Sequence, residues 1–318
     1  MRLDVISYHD LCDASEQSVR EKLETVLLQK GIVGVKDVPE FESKTRDYIQ
    51  AARAFSALDL VTKQQYAPER DAKDTEGYEL GAEWFKNQNG EWQIDDKKAS
   101  YYAFVPDHPR NKWPREVDLK TSYLALGELI FHTGKILLDA MGLNASMGLR
   151  HDELEGYGRM LHYHKENDAI NVNPHWCGSH LDHGVFTGLV PAYYFREGKE
   201  IPEPEEAGLY IVPSDGEHFE KIEANEKSIL LFQVGEFGQI ISNDRIKATR
   251  HCVKKARGGI ERFAFAIFYN AADHVVFQST SELTKDVRYS QHQAADGSIS
   301  YGQWKEASYD RYRARVIE

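Results

Sequence analysis

The chain has 318 residues, with 39 Lys plus Arg against 51 Asp plus Glu and a formal net charge of −12. At roughly 150 residues per domain this allows one large domain or two ordinary ones, and the acidic balance, with no segregated basic segment, argues against a nucleic acid or an anionic membrane as partner. Three cysteines without a CxxC pair indicate reduced thiols, no apolar run is long enough to span a bilayer, and Met1–Gln17 lacks a secretory pattern, so a cytoplasmic setting is expected.

In chain order, Asp13-Ala14-Ser15-Glu16 has the form of a capping box. After it Val19, Leu23, Val26 and Leu27 share one helical face, and Gly31 supplies a stop. Ile32–Val38 is predicted as a strand. Phe41–Leu58 is predicted as a helix with Tyr48, Ala51, Ala52 and Phe55 as its buried stripe. Between Pro68 and Pro114 no period is sustained, which predicts a long loop or lid, and Trp84, Trp92, Tyr101, Tyr102 and Phe104 either line an entrance there or pack beneath it. Asp118–Met141, with Leu124, Leu129, Thr133, Ile136 and Met141 in register and Gly142 at its end, is predicted as one long helix.

Beyond it the texture becomes β. Short apolar runs separated by turn residues recur at Tyr157–Tyr163, Val185–Phe195, Leu209–Val212, Ser228–Val234, Ile246–Val253 and Ile260–Tyr269. This is the pattern of an antiparallel sandwich or barrel on which the long helix packs. Arg196–Glu206 reads as a solvated hairpin loop, and Gln303–Arg315 as a closing helix. Asn144-Ala145-Ser146 matches a glycosylation acceptor only by chance, given the absence of a secretory pattern.

The chemistry concentrates at Ser179-His180-Leu181-Asp182-His183-Gly184. Residues two apart on a strand share a face, so His180 and Asp182 present an imidazole and a carboxylate side by side. His251, in the β run Lys247–Val253, supplies a candidate third ligand. Two imidazoles and one carboxylate on one face of a metal leave positions open, a set suited to Fe(II) chemistry with dioxygen. Lys255–Gly259 reads as a turn, pairing Thr249–Val253 with Glu261–Phe265 as a hairpin. Ala264 then lies opposite His251 and Arg262 on its diagonal, where a guanidinium grips the far carboxylate of a small dicarboxylate.

His180-x-Asp182, the distal His251 and Arg262 resemble the metal and co-substrate fingerprint of the isopenicillin N synthase-like branch of the 2-oxoglutarate/Fe(II)-dependent oxygenases. Gly31–Pro39, Gly77-Tyr78-Glu79-Leu80-Gly81, Asn111-Lys112-Trp113-Pro114 and Ser242–Val253 resemble further family segments in the same order, covering residues 1–275. The resemblance implies an α+β, mainly β fold: a distorted double-stranded β-helix, or jelly roll, with buttressing helices. Residues 1–115 are expected to form an N-terminal helical and irregular region of the same unit, 116–275 the long helix and catalytic core, and 276–318 a closing segment. It also implies an Fe(II) enzyme that uses 2-oxoglutarate and O2 as co-substrates, with His180, Asp182 and His251 on the metal and Arg262 and Tyr163 on 2-oxoglutarate. A monomer acting on a small molecule is expected.

Two positions depart from the family pattern. Ala264 stands where Ser or Thr is usual, and Leu161 stands where Asn is usual. An Fe(II)/O2 oxidase that needs no 2-oxo acid, and a non-catalytic metal-binding jelly roll, therefore stay as alternatives. His162-x-His164 has metal-ligand spacing too, but with Tyr163 inward both histidines turn outward to the surface. His175 and His183 flank the motif as loop histidines or substrate contacts, and Cys177 and Cys252 read as packing residues.

Overall fold

The computed structural model describes residues 1–13, 17–69, 74–81, 84–86, 92–94, 96–142, 149–165, 174–214, 216–224 and 226–314. Residues 14–16 of the expected capping box and the acceptor pattern at 144–146 lie outside the described residues, as do the side chains of Trp84 and Trp92.

The strands in chain order are β1 (Val5–Ser7), β2 (Ile32–Lys36), β3 (Gly77–Leu80), β4 (Trp84–Lys86), β5 (Trp92–Ile94), β6 (Lys98–Val105), β7 (Leu154–Tyr163), β8 (His175–His180) and β9 (Phe186–Leu189). They continue with β10 (Tyr193–Arg196), β11 (Lys199–Ile201), β12 (Gly208–Val212), β13 (Glu220–Lys221), β14 (Leu230–Val234), β15 (Arg250–Lys254), β16 (Ile260–Ala271), β17 (Val276–Phe277) and β18 (Ile299–Ser300). A large sheet runs β1-β2-β14-β9-β16-β7-β6-β3, with β10 and β11 added beside β16, and a smaller sheet runs β13-β12-β15-β8. Two sheets with helices buttressing one face give the expected jelly roll.

Alternation along β16 explains the layering. Phe263, Phe265, Ile267 and Tyr269 point to one side and are buried in the main core with residues of the helices Phe41–Ser56 and Leu119–Ala140. Arg262, Ala264, Ala266 and Phe268 point to the other and line a cavity between the sheets. Large residues on the helix side fill the core, while two alanines on the inner side leave room for a ligand.

The helix Gln17–Gln29 buries the four expected residues, and its stop is Gly31 at φ +65°. A side chain there would collide with Thr249 and with the Lys247 carbonyl, so glycine lets the helix end close against the segment that leads into β15. The long helix is capped by Asp118, whose carboxylate accepts from the Thr121 amide. It buries Tyr123, Leu126, Ile130, Leu137 and Leu138 as well as Thr133. Leu124, Leu129 and Ile136 are only partly buried, because the helix is apolar over most of its circumference and periodicity alone does not choose its inner face.

Several expectations are corrected. The segment expected as a lid contains β3 and the eight-residue β6, which pairs along its whole length with β7 in the large sheet. Its aromatic residues hide the alternation, since both faces are covered: Tyr101 packs among Phe55, Trp113 and Tyr123 while Tyr102 stacks on Tyr157. Val185–Phe195 is two strands, β9 and β10, interrupted at Val190-Pro191-Ala192. The β15–β16 hairpin does not form. β15 pairs with β12 and β8 in the small sheet, whereas β16 pairs with β7, β9 and β10 in the large one, so Lys255–Gly259 carries the chain from one sheet to the other. The closing helix spans Tyr301–Ala314. No helix among the described residues is long and apolar enough to cross a membrane.

Candidate metal centre

His180 and His251 are directly opposed on β8 and β15, with ring centroids 4.2 Å apart. Asp182 lies past the end of β8, so strand alternation alone does not aim it. Its loop is held by the helix Glu236–Ile241, where the amides of Glu236, Phe237 and Gly238 donate to the carbonyls of Asp182, His183 and Gly184. Gly184 follows because a Cβ there would meet the Tyr269 carbonyl at 2.6 Å. The result places Asp182 Oδ1 3.5 Å from His180 Nε2 and 3.9 Å from His251 Nε2. One ligand atom from each of the three residues lies within 4.8 Å of the others.

The polarity of each group is fixed from behind. His180 Nδ1 lies 2.8 Å from the Gly178 carbonyl and His251 Nδ1 2.9 Å from the Thr249 carbonyl, so both Nδ1 atoms donate and Nε2 is the ring atom each histidine turns towards Asp182. Thr187 Oγ1 donates to Asp182 Oδ2 at 2.6 Å, leaving Oδ1 for the cluster. Burial opposes charge on Asp182, but His251, His180 and Thr187 outweigh it and hold its carboxyl below the usual carboxylate range. Burial pushes His251 down to about 4, with His180 adding in the same direction, so it stays neutral as a ligand must. Burial also disfavours charge on His180, but Cys177 and Asp182 raise it. A divalent cation bound here would compete with a proton on His180.

Thr187 was not singled out from the sequence, though it follows the motif on the strand that carries the chain back. Thr187→Val keeps its shape and removes the hydrogen bond, so Mn(II) or Fe(II) affinity is expected to drop about 10–100-fold with little change in melting temperature. Anaerobic metal titration against a chelator measures this, and an unchanged affinity refutes the assigned role.

Arg262 also reaches this cavity, although by a different route from the one expected. It comes from the opposite sheet, directly paired with Tyr163 on β7, whose ring centroid is 5.0 Å from the guanidinium carbon. Arg262 is 7% exposed, yet its Nε and Nη1 are buried with no hydrogen-bond partner. Two orphaned donors on a permanent cation fit an anionic ligand. Ala264 and Leu161 are themselves cross-strand partners, so the two departures form one apolar patch of cavity wall. Glu203, from the segment expected as a solvated loop, lines the cavity, accepts from Tyr194 at 2.8 Å and pairs with Lys221 at 3.0 Å.

The remaining histidines lie elsewhere. His162 turns away from the cavity as expected but is buried, stacked on Phe263 at 4.2 Å and 3.0 Å from Glu261. His183 lies 3.4 Å from Glu236, which Arg288 grips with two hydrogen bonds, so it belongs to the support behind the loop. His175 pairs with Lys254 at the far end of β8. Cys177 lines the cavity, and Cys252 is buried.

Burial pushes His164 down to about 4, with His162 adding to it. The unfolded chain, titrating near 6.5, then takes up a proton that the folded state refuses. Stability is therefore full above about pH 6.5 and is lost as the pH falls towards 4, with about 2 kcal/mol gone at pH 5. Urea unfolding at pH 7 and pH 5 measures the loss, and His164→Gln should reduce it by about that amount, leaving the share of the other buried histidines such as His251. An equal pH slope in the variant rules His164 out as the cause.

No protein-family model matches the sequence, and no curated protein does. Solved structures do. A full-length Neurospora crassa protein crystallised in complex with alpha-KG superposes with a TM-score of 0.71 at 18% identity, covering 98% of this chain and 96% of that one. The chain has the fold of the 2-oxoglutarate/Fe(II) oxygenases. A rice dioxygenase for auxin oxidation has a TM-score of 0.67 at 18% identity over 99% and 96% of the two chains. JOX2 in complex with 2OG, Fe and JA has 0.68 at 17% identity over 96% and 84%.

Proposed function

We propose that the chain is a non-haem Fe(II), 2-oxoglutarate-dependent oxygenase that hydroxylates, desaturates or cyclises a small molecule. One observation carries the reading: three converging ligand atoms of His180, Asp182 and His251 share a cavity with a buried arginine whose Nε and Nη1 lack partners. The likeness to structures that hold alpha-KG, or 2OG and Fe, supports it. So does the ordered series of segments similar to the isopenicillin N synthase-like branch.

His180, Asp182 and His251 would hold the iron, which would supply the activation of dioxygen, with 2-oxoglutarate as the source of electrons. Arg262 binds the distal carboxylate of 2-oxoglutarate through Nε and Nη1, over the Tyr163 ring. The Leu161–Ala264 patch and Ala266 exclude water between the two ends. Thr187 keeps Asp182 turned to the metal.

The test is direct. Protein loaded anaerobically with Fe(II) and 2-oxoglutarate should show a weak visible charge-transfer band, and admitting oxygen should produce succinate. Substrate consumption with Fe(II) and oxygen but no 2-oxo acid would decide for the oxidase alternative, and iron binding without turnover on a broad metabolite panel would favour a binding protein. Ala264→Ser places a hydroxyl beside the Arg262 end, and a hydrogen bond to a charged carboxylate contributes about 1.5–3 kcal/mol. We expect 2-oxoglutarate to bind about tenfold or more tightly in that variant, read from titration of the same band. Unchanged affinity would place the carboxylate away from residue 264.

A further inference from the structure

The helix Glu236–Ile241 carries the amides that hold residues 182–184, yet it has only six residues. A helix that short does not keep its own place, so its position is set by what grips it. Its later turn also serves another ligand: Gln239 Oε1 accepts from the Ala248 amide at 2.9 Å, just ahead of Thr249, whose carbonyl orients His251. One short helix thus steadies the segments that carry both Asp182 and His251.

The grip comes from residues 279–288. Arg288, 8% exposed, donates from Nη1 and Nη2 to Glu236 Oε2 and Oε1 at 2.9 and 2.8 Å, and Glu236 is 4% exposed. Asp286 pre-sets that guanidinium by accepting from its Nε at 3.0 Å, while also capping the helix Val287–Ser290 that carries it. Past the far end of the helix Glu236–Ile241, Asp244 accepts from Ser281 Oγ at 2.7 Å, from the Glu282 amide at 2.8 Å and from Gln239 Nε2 at 2.8 Å. Of these two latches the first is buried and two-pronged, which fixes both distance and angle. A buried ion pair is weak support for stability, because desolvation offsets its attraction. What this one supplies is a place: the Glu236 amide, on the residue that Arg288 grips, donates to the Asp182 carbonyl at 2.7 Å.

We propose that Arg288 is a positioning residue of the metal centre, holding Glu236, and through its amide Asp182, where Oδ1 meets both imidazoles. The segment 276–318 then completes the site as well as covering the sheet. This deepens the oxygenase reading and rests on its metal assignment. Arg288 touches neither metal nor substrate and acts through Glu236.

Mn(II) titration of the metal-free protein, read by loss of the free-ion EPR signal and accompanied by thermal melts, tests it. Arg288→Met keeps the apolar stem and should weaken Mn(II) about tenfold or more. Arg288→Lys keeps the charge without the two-pronged geometry and should recover part of that loss. Because Arg288→Met leaves a buried carboxylate without its cation, the double variant Glu236→Gln/Arg288→Met is the second arm. It removes both charges, should melt within a few degrees of wild type, and should show the same loss of Mn(II). Tyr289→Phe removes a hydrogen bond to the Gly297 carbonyl from the same short helix without touching Glu236, and should leave the affinity unchanged. A folded double variant that binds Mn(II) like wild type overturns the proposal. So does a loss in Tyr289→Phe equal to that in Arg288→Met, which would trace the effect to general loosening of the segment. Unfolding of every Arg288 variant makes the arginine a structural cation and overturns it equally. Wild-type protein that takes up no Mn(II) sinks the metal assignment and the proposal with it, whereas Mn(II) uptake without succinate formation from Fe(II), 2-oxoglutarate and oxygen is the separate failure of the oxygenase reading.

Discussion

Asp182→Ala is expected to abolish iron-dependent turnover while leaving the protein folded. The carboxylate is the single anionic member of the triad, and its Oδ1 lies closest to both imidazole Nε2 atoms. Loss of a group that merely supports a ligand costs about 10–100-fold in metal affinity, so loss of the ligand itself should exceed about 100-fold. The structural cost is small by comparison. Thr187 loses its acceptor, a penalty of about 1–3 kcal/mol, while removing a buried charge works in the opposite direction. The loop is still held by the three amides of Glu236–Gly238, which bond its backbone and not the Asp182 side chain. Metal content after loading, succinate formation and a thermal melt separate the outcomes. A variant that retains bound iron and turnover sinks the ligand assignment, and one that unfolds makes the cluster a structural ion group.

The same residues show how much the sequence carried. His180, Asp182, His251 and Arg262 were legible because their types, order and surrounding segments form a pattern, and all four do reach one cavity. The local reason offered for their convergence was partly wrong. Adjacent strands joined by a short glycine turn normally pair, so β15 and β16 were expected as a hairpin; in a two-sheet roll the chain crosses the sandwich there, and Arg262 meets the histidines across the gap and not along one sheet. Asp182 depends on a helix more than fifty residues downstream, which no local pattern reveals. The strand β6 was obscured because both its faces are covered, leaving no polar alternation to read. Arg159, which lines the cavity, was recoverable in principle, since alternation from an inward Tyr163 puts residues 161 and 159 on the same face. Lys98, also in the cavity wall, was not, because its place depends on the pairing of β6 with β7.

Arg262→Leu should change stability and co-substrate binding in opposite directions. In the free protein Nε and Nη1 are buried without partners, so a shorter apolar side chain at the cavity wall relieves a desolvated cation. Replacing buried charge by packed apolar groups stabilises by about 1–4 kcal/mol where it has been beneficial, and the melting temperature of the ligand-free variant should therefore rise by a few degrees. With 2-oxoglutarate present the order reverses. A ligand at about a hundred times its dissociation constant stabilises the folded state by about 2.7 kcal/mol, and the wild-type protein loaded with Mn(II) should gain this. The variant should gain almost none of it, because two charge-assisted hydrogen bonds at about 1.5–3 kcal/mol each amount to a loss of about 100-fold or more in affinity. Arg262→Lys keeps the charge without the two-pronged geometry and should fall between. Thermal melts of the three proteins, each with and without 2-oxoglutarate, read both signs at once. A ligand-free Arg262→Leu protein that melts far below wild type makes the arginine a structural cation, and an undiminished 2-oxoglutarate shift places the distal carboxylate elsewhere in the cavity.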